Sequence, residues 1–201
     1  MHYFKIITGL AGLSLVAACG DGTPFAADDV VPVGTATLSG DVFTVTQGAT
    51  SVALATEDSL IVSGQRVWLA PGNRAQAYQS ENVLSLGGVS EDGTPFAGIT
   101  GIVGDAPAAD ATFVGGYAVL SGESDYDAGA LTLNYDLNTG ALSNDGGPLT
   151  VVATASPISI SGTVTFDGND ANLLGNFYGT DEVAGAFTGA DIGGVIFGTQ
   201  Q

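Results

Sequence analysis

The chain has 201 residues, of which 21 are acidic and 3 basic, giving a formal net charge of −18 at pH 7. This balance excludes nucleic acid as a partner, because almost nothing in the chain can neutralise phosphates, and it disfavours anionic lipid for the same reason. Two explanations of the charge stay open. One is solubility in a salty exterior, where screening over about 8 Å weakens self-repulsion, and the other is an acidic docking surface for a basic partner.

The first eighteen residues have the pattern of a secretion signal. An apolar run follows Lys5 and is too short to span a membrane as a helix. Val16, Ala17 and Ala18 precede Cys19, the only cysteine. They resemble a bacterial lipobox, in which a peptidase cuts before a cysteine that carries lipid such as palmitate, anchoring the chain without spanning the membrane. The alternative is ordinary Ala-x-Ala cleavage with a free thiol.

Composition and periodicity both point to strands. Glycine accounts for 31 residues and hydrophobic side chains for 45% of the chain. That apolar content is enough for a core and argues against disorder, and no Gly-x-y repeat indicates collagen. No segment shows a sustained 3.6-residue apolar period, whereas several alternate with period two. The sequence therefore predicts an all-β fold.

The strand pattern divides the chain after the signal, residues 1–18. Residues 19–33 are acidic and contain two prolines, which predicts an extended tether. Residues 34–106 carry a first group of short strands, and a small acidic segment at 104–110 marks the boundary with residues 107–201. The strands of the first group are predicted at 35–45, 51–56, 59–63, 65–70, 75–80, 83–86 and 96–103.

Residues 107–201 are predicted to form an eight-stranded antiparallel barrel, because closure removes exposed sheet edges. The strands are predicted at 112–120, 130–137, 141–144, 149–155, 158–166, 172–178, 182–187 and 193–197. A barrel of this size has an interior that side chains can fill. The predicted interior side chains are Phe113, Tyr117, Leu131, Leu133, Val151, Val164, Phe166, Phe177, Phe187 and Phe197.

Three motifs lie at the C-terminal end: Gly-Asn-Phe-Tyr-Gly at 175–179, Glu-Val-Ala-Gly-Ala-Phe at 182–187 and Gly-Val-Ile-Phe-Gly at 194–198. They resemble the closing strands of the transferrin-binding-protein-like barrel family; a generic pair of glycine-rich hairpins is the alternative. The resemblance implies a single lobe, with a handle-like antiparallel β domain at 34–106 before the barrel at 107–201. The closing strand departs from the family pattern by an extra residue, Ile196.

The family consists largely of lipid-anchored or secreted proteins of Gram-negative bacteria. The resemblance therefore implies an outer-membrane lipoprotein, exposed at the cell surface, that binds a protein or solute ligand through loops, in nutrient or iron acquisition. Gly20, in place of an aspartate after Cys19, also favours the outer membrane. The resemblance implies the fold and the location of this chain, but it does not imply which ligand the chain binds.

Common catalytic motifs are missing from the sequence. His2, the only histidine, is removed with the signal, which excludes Ser-His-Asp, Cys-His and imidazole metal sites in the mature chain. Met1 is the only methionine, so Tyr78 or Tyr117 would be the formal candidates for haem ligation. No Walker or dinucleotide glycine motif is present. We predict no catalytic residue, no metal and no cofactor, and Cys19 is the one assigned site residue.

Several polar and aromatic residues have two interpretations. The turn at 167–170 could bind calcium but lacks the spacing and final Glu of a calcium loop, so a polar turn is favoured. Trp68, Tyr126 and Tyr135 could anchor a partner, although half-buried strand aromatics are commoner. Neighbouring acids on a strand point to opposite faces, so no adjacent pair forms an acid/base dyad. Those pairs are Asp28-Asp29, Glu57-Asp58, Glu91-Asp92 and Asp181-Glu182.

Three hypotheses about function follow. The first is a non-enzymatic surface lipoprotein that binds a ligand. The second is a structural or protective surface barrel without a dedicated ligand. The third hypothesis is a carboxylate-based hydrolase. It ranks well behind the others, because a glycosidase needs two converging carboxylates and the sequence does not indicate which pair would converge.

The lipid anchor can be tested on its own. We expect Cys19→Ser to abolish incorporation of radiolabelled palmitate, because the thiol that would accept lipid is gone. Metabolic labelling followed by immunoprecipitation measures this, with the wild-type chain as the positive control. A Cys19→Ser chain that still takes up label would show that the lipobox interpretation is wrong.

Overall fold

The computed structural model describes residues 32–69, 71–122 and 125–201. Within these residues the chain folds into sixteen β-strands and one 3-10 turn, Thr56–Asp58. Two antiparallel sheets precede a closed antiparallel barrel, so the predicted all-β fold with a small β domain before the barrel is confirmed. The predicted signal, Cys19 and the tether up to residue 31 lie outside the described residues.

The described residues include no helix with the length and apolar character needed to cross a membrane.

The first sheet is a meander of three strands among the described residues. Its strands are β1 (Thr35–Ser39), β2 (Val42–Gln47) and β3 (Thr50–Ala55), in that order. The prediction of one strand over residues 35–45 is therefore wrong. Gly40 takes a φ of 59° and Ser39 pairs with Val42, so the chain reverses in a two-residue turn at Gly40 and Asp41. The period-two pattern of the sequence continues across this turn and therefore does not reveal it.

The second sheet follows the chain order from one edge to the other. Its strands are β4 (Leu60–Val62), β5 (Gln65–Trp68), β6 (Arg74–Gln79), β7 (Val83–Val89) and β8 (Pro95–Gly101). The predicted pairing of the strands here called β6 and β7 is confirmed. A parallel bridge between Gly34 and Gly98 joins the two sheets. We call strands β1–β8 the handle.

The handle has a core between its two sheets. Trp68 is buried there, packs edge-on against Phe43 with ring centroids 5.3 Å apart, and donates its indole N–H to the carbonyl oxygen of Ala55 at 2.7 Å. The core side chains are Ala36, Phe43, Val45, Val52, Leu54, Trp68, Ala75, Ala77, Leu84, Leu86 and Phe96. Apolar burial on this scale holds the handle together as a unit.

The barrel closes through pairing of its first and last strands. Its strands are β9 (Ala111–Ser121), β10 (Asp125–Tyr135), β11 (Ala141–Asn144), β12 (Leu149–Ser156), β13 (Ser159–Phe166), β14 (Asn169–Tyr178), β15 (Glu182–Gly189) and β16 (Ile192–Gln200). Tyr117 of β9 lies opposite Ile196 of β16 in the closing pair. Closure leaves the barrel without a free sheet edge among the described residues.

The interior assignment is confirmed at nine of the ten predicted positions, which belong to one buried cluster inside the barrel. Phe197 is the exception. Ile196 occupies the interior opposite Tyr117, and Phe197 therefore points outward, because successive strand side chains alternate between faces. The extra residue of the closing strand, Ile196, takes the inward position that the prediction had given to Phe197.

The handle packs on the outside of the barrel over β15, β16 and β9. Ala118 and Leu120 sit on the outward face of β9 and are nevertheless fully buried. Two backbones approach closely here: a Cβ on Gly87 would lie 2.4 Å from the carbonyl oxygen of Gly194, and one on Gly193 would lie 2.3 Å from that of Gly88. Only glycine permits such an approach.

The segment between the handle and the barrel is also fixed. Val103 forms an antiparallel bridge with Tyr178 at the end of β14. The N–H of Gly104 donates to the carbonyl oxygen of Phe177 at 2.9 Å, and that of Ile102 donates to the carbonyl oxygen of Asn82 at 2.7 Å. The connecting segment is therefore hydrogen-bonded to both the handle and the barrel, and these bonds help to fix the position of the handle relative to the barrel.

Candidate functional site

A buried carboxylate joins the handle to the barrel. Glu182, the first residue of β15, is 8% exposed. Its oxygens accept hydrogen bonds from the Tyr78 hydroxyl at 2.8 Å, the Ser80 hydroxyl at 2.9 Å and the Asn82 amide at 2.9 Å. All three donors come from the end of β6 and the turn after it. A buried carboxylate is costly unless hydrogen bonds satisfy it, so these contacts require the handle to stay docked.

Aromatic packing extends this contact. The Tyr78 ring stacks on Phe197 with centroids 4.2 Å apart and planes 8° from parallel. Burial, together with the hydrogen bond to Glu182 and its negative charge, raises the pKa of the Tyr78 phenol. Nearby, the buried Ser85 hydroxyl donates to the carbonyl oxygen of Gly185 at 3.0 Å. The outward orientation of Phe197 thus serves the interface with the handle.

A cleft of about 510 Å³ opens beside this interface, between the free end of the five-stranded sheet and the outer wall of the barrel. Its volume lies within the range typical of small-ligand sites. Its floor is the small-residue surface of β9 and β10, and its other side is formed by the β4–β5 hairpin and β6. The lining residues are Val62, Ser63, Gln65, Gln76, Gly115, Gly116, Tyr117, Tyr126, Ala128, Gly129, Ala130 and Phe197.

A hydrogen-bonded relay crosses the cleft. The Tyr126 hydroxyl, on β10, donates to Oε1 of Gln76 at 2.5 Å, and Nε2 of Gln76 donates to Oε1 of Gln65. Gln76 is buried, whereas Gln65 and Tyr126 are half-buried. The relay leaves the Gln65 amide N–H groups and the Tyr126 lone pairs available to a ligand. It also fixes the width of the cleft, because it ties strands of the handle and the barrel together.

A second phenol lies behind the cleft floor. Tyr117 is buried and donates its hydroxyl to Oδ2 of Asp127 at 2.8 Å. Burial, and to a lesser degree the hydrogen bond and charge of Asp127, raises the pKa of Tyr117 to about 12. Burial and the charge of Asp127 also raise the pKa of Tyr126. Both phenols are therefore neutral hydrogen-bonding groups at physiological pH.

The chemistry of the cleft is that of a binding surface. Its lining combines aromatic rings, amides, one hydroxymethyl group and bare glycine backbone, and none of the lining residues is charged. No carboxylate or basic side chain lines the cleft, so its acid/base groups are the phenols of Tyr117 and Tyr126, which stay neutral at physiological pH. A neutral polar and apolar group, such as an uncharged side chain of a partner, matches this lining.

The residues singled out from the sequence have distinct positions. Trp68 is a core residue of the handle, and Tyr135 is buried inside the barrel against Phe177. Both are strand aromatics, as favoured, but they are buried and not half-buried. Tyr126 is half-buried and lines the cleft. Cys19, the predicted lipid anchor, lies outside the described residues and stays a prediction.

The predicted polar turn forms the β13–β14 hairpin. Asp167 and Gly168 take φ values of 48° and 79°, and Asp170 accepts the Thr165 hydroxyl at 2.6 Å. Across the described residues, no group of three or more His, Cys, Asp or Glu is placed to hold a metal ion. Of the adjacent acid pair at 181–182, Asp181 is exposed and Glu182 is buried among its three donors.

Sequence reasoning missed the residues that build the site. Gln65 and Gln76 belong to no motif, and the C-terminal motif that begins at Glu182 did not indicate the hydrogen-bonding role of that carboxylate. Contacts between a sheet and a barrel leave no signature in the sequence of one strand. One signal was available: Glu182 opens a strand whose other residues are apolar or small, apart from Thr188, and a charged residue in such a strand needs partners if it is buried.

The chain is similar to solved structures of bacterial receptors. The haemoglobin receptor HpuA from Kingella denitrificans matches with a TM-score of 0.48 and 12% identity, covering 85% of this chain and 94% of the receptor. The same receptor in complex with human haemoglobin matches at 0.48 and 13%, covering 85% and 95%. Transferrin-binding protein B from Haemophilus parasuis matches at 0.41 and 13%, covering 79% of this chain and 48% of that chain.

No family model and no curated protein matches the chain. The barrel itself is established by its strand register, which closes from β16 onto β9.

Neutralising the interface carboxylate should weaken the fold. We expect Glu182→Gln to lower the free energy of unfolding by about 2 kcal/mol, because an amide oxygen and amide NH₂ cannot accept from all three donors. Asp181→Asn is the matched control, since this neighbouring acid is exposed and should change stability by less than about 0.5 kcal/mol. Urea unfolding measures both variants. Equal losses in the two would contradict the role given to Glu182.

The buried phenols should make the protein sensitive to alkali. Because an unfolded tyrosine ionises near pH 10 and Tyr117 near 12, stability that is complete below pH 10 should fall between pH 10 and 12. Absorbance at 295 nm follows ionisation, with Tyr117→Phe identifying the late phenol by difference. Asp127→Asn should lower the pKa of Tyr117 only in part, because burial is the larger cause. Ionisation of Tyr117 at pH 10 in the folded protein would contradict this.

Proposed function

We propose that this chain is a non-enzymatic outer-membrane lipoprotein, anchored through lipid on Cys19, that displays the handle and barrel at the cell surface and binds a protein or solute ligand. The cleft between the β4–β5 hairpin and the outer wall of the barrel carries this proposal. It is lined from both parts of the molecule, it is uncharged, and its polar groups retain unused hydrogen-bonding capacity.

The location is supported by the sequence. An apolar signal ends at Cys19, and Gly20 follows it. The acidic segment at 19–33 would span about 50 Å if fully extended, which would hold the folded part clear of the lipid. The strongly acidic balance also suits a protein that rests near a surface through its anchor and not through attraction to anionic lipid.

Binding is favoured over catalysis by the way the buried polar groups are used. The Glu182 carboxylate is engaged by three donors from the handle, and the Tyr117 hydroxyl is engaged by Asp127. These groups stabilise the junction and the barrel wall. The cleft is left with neutral groups, which can recognise a ligand, and its phenols, Tyr117 and Tyr126, stay protonated at physiological pH.

The fixed junction makes the cleft a preformed site. The glycine backbones at Gly87 and Gly193, the Tyr78–Phe197 stack and the bridge at Val103 hold the handle against the barrel at separate points. A site that is already shaped does not have to be ordered when the ligand arrives, which lowers the entropic cost of binding.

The resemblance of the C-terminal motifs supports a protein ligand that is encountered outside the cell. Uptake of a nutrient, iron included, is the biological setting we propose. The structures reported above are of a haemoglobin receptor and a transferrin-binding protein, and human haemoglobin and transferrin are therefore the first protein probes to apply to this chain.

Blocking the cleft tests the proposal. We expect Ala130→Trp to reduce saturable binding by at least tenfold, because Ala130 lines the cleft and is exposed, so an indole would fill the space without entering the core. Thr132→Trp is the matched control: it lies two residues along the same face of β10, is exposed and does not line the cleft.

The measurement uses the full mature chain immobilised on a sensor. Human haemoglobin, transferrin and fractionated growth medium are passed over it. Reproducible saturable binding that Ala130→Trp loses and Thr132→Trp keeps supports the proposal. No saturable binding to the wild-type chain would instead favour a structural surface barrel without a dedicated ligand.

A further inference from the structure

Strand β4 is an open edge of the handle. Its neighbour on one side is β5, and the described residues place no strand on the other side. The three side chains of β4 are all apolar and all exposed: Leu60 at 60%, Ile61 at 62% and Val62 at 40%. Edge strands are usually protected by charge, proline or a bulge, and β4 has none of these.

The backbone of β4 has hydrogen-bonding groups directed outward. Ser63 and Gly64 take φ values of 50° and 82°, the geometry of a two-residue type I′ hairpin, so Val62 and Gln65 form the closing hydrogen-bonded pair. Pairs alternate along an antiparallel ladder, which makes Ile61 and Arg66 a non-hydrogen-bonded pair. The N–H and C=O of Ile61 therefore point away from β5, toward the position of an added strand.

The open edge is continuous with the cleft. Val62 and Ser63 line the cleft, and Leu60 shares the face of Val62, because side chains two residues apart on a strand lie on the same side. A strand laid along β4 would thus place alternate side chains on Leu60 and Val62 and bring one of them to the mouth of the cleft. This is the arrangement by which extended peptides are recognised at a sheet edge.

The charges around β4 favour a basic segment as the added strand. Exposed Glu57 and Asp58 lie just before β4, and exposed Asp125 opens β10 beside the cleft. Arg66 is the opposing cation on β5, where it donates to the Ser59 hydroxyl at 3.1 Å. With a formal charge of −18 on the whole chain, a second copy is repelled and a basic segment is attracted.

We propose that β4 is a docking edge for an extended segment of another polypeptide, with an apolar alternating core and basic flanks, which adds to the handle as an outer strand. The proposal rests on the proposed function, since it names the chemistry of a protein ligand at that site. With one outward backbone pair on β4, the apolar contacts supply most of the affinity and the flanking charges supply the selectivity.

Synthetic peptides test the docking edge on the full mature chain. The probe is a fluorescent decapeptide with an alternating Val/Thr core and two arginines at each end; its comparators carry aspartates at the ends or a proline in the core. We expect the arginine peptide to bind saturably, at least tenfold more tightly than either comparator, and more weakly as salt is raised. Hydrogen exchange at the Ile61 amide should slow at least fivefold on binding. Failure of the arginine peptide to bind would overturn the proposal.

A charge variant separates apolar docking from simple attraction. Ile61→Asp should weaken binding of the arginine peptide at least tenfold, although the added negative charge alone would tighten it. Val152→Asp is the matched control, because Val152 is 65% exposed on the barrel strand β12, and it should bind as the wild type does. Unchanged or tighter binding by Ile61→Asp would overturn the proposal.

Two further outcomes are decisive. Sedimentation velocity that finds a wild-type dimer, lost in Ile61→Asp, would overturn the proposal in favour of edge pairing between two copies. Loss of protein binding in Ala130→Trp together with unchanged binding in Ile61→Asp would overturn the docking edge and leave the proposed function standing.

Discussion

The docking of the handle on the barrel is the constraint on which the rest of this structure depends. A sheet laid across a barrel must bring two backbones within contact distance, and Gly87 and Gly193 make that approach feasible. It must also satisfy any charge that it buries. The donors to Glu182 come from the end of β6 and the turn after it. The carboxylate is therefore hydrogen-bonded when the handle is in place and would be left unpaired in the interface if the handle shifted.

The same docking creates the candidate binding surface. The cleft exists because the β4–β5 hairpin overhangs the wall formed by β9 and β10, and its width is fixed by the bond from Tyr126 to Gln76. The lining of the cleft is uncharged, whereas the chain as a whole is strongly acidic. A ligand can therefore be attracted over a distance by the overall charge and held at short range by apolar and amide contacts. The exposed edge of β4 adds a backbone element to the same surface.

The resemblance in the C-terminal motifs and the alternation along the strands predicted the same fold, and the structure departs from the predicted barrel interior at one residue. Period-two alternation predicted the barrel interior, and it failed only at Phe197, where Ile196 takes the inward position. It also failed where one continuous pattern hid a turn at Gly40. Both failures have one cause. Alternation shows which residues are apolar, but it does not fix which residues of a strand face inward or where the strand ends.

The sequence by itself determined the all-β class, the eight-strand barrel and most of the barrel interior, because each follows from composition or from local periodicity. Tertiary structure alone decided the cleft, the role of Glu182 and the outward use of Phe197. Those depend on contacts between segments about a hundred residues apart, such as Tyr78 with Glu182. Local patterns report the burial of a side chain, whereas the identity of its neighbours is fixed only when two sheets pack against each other.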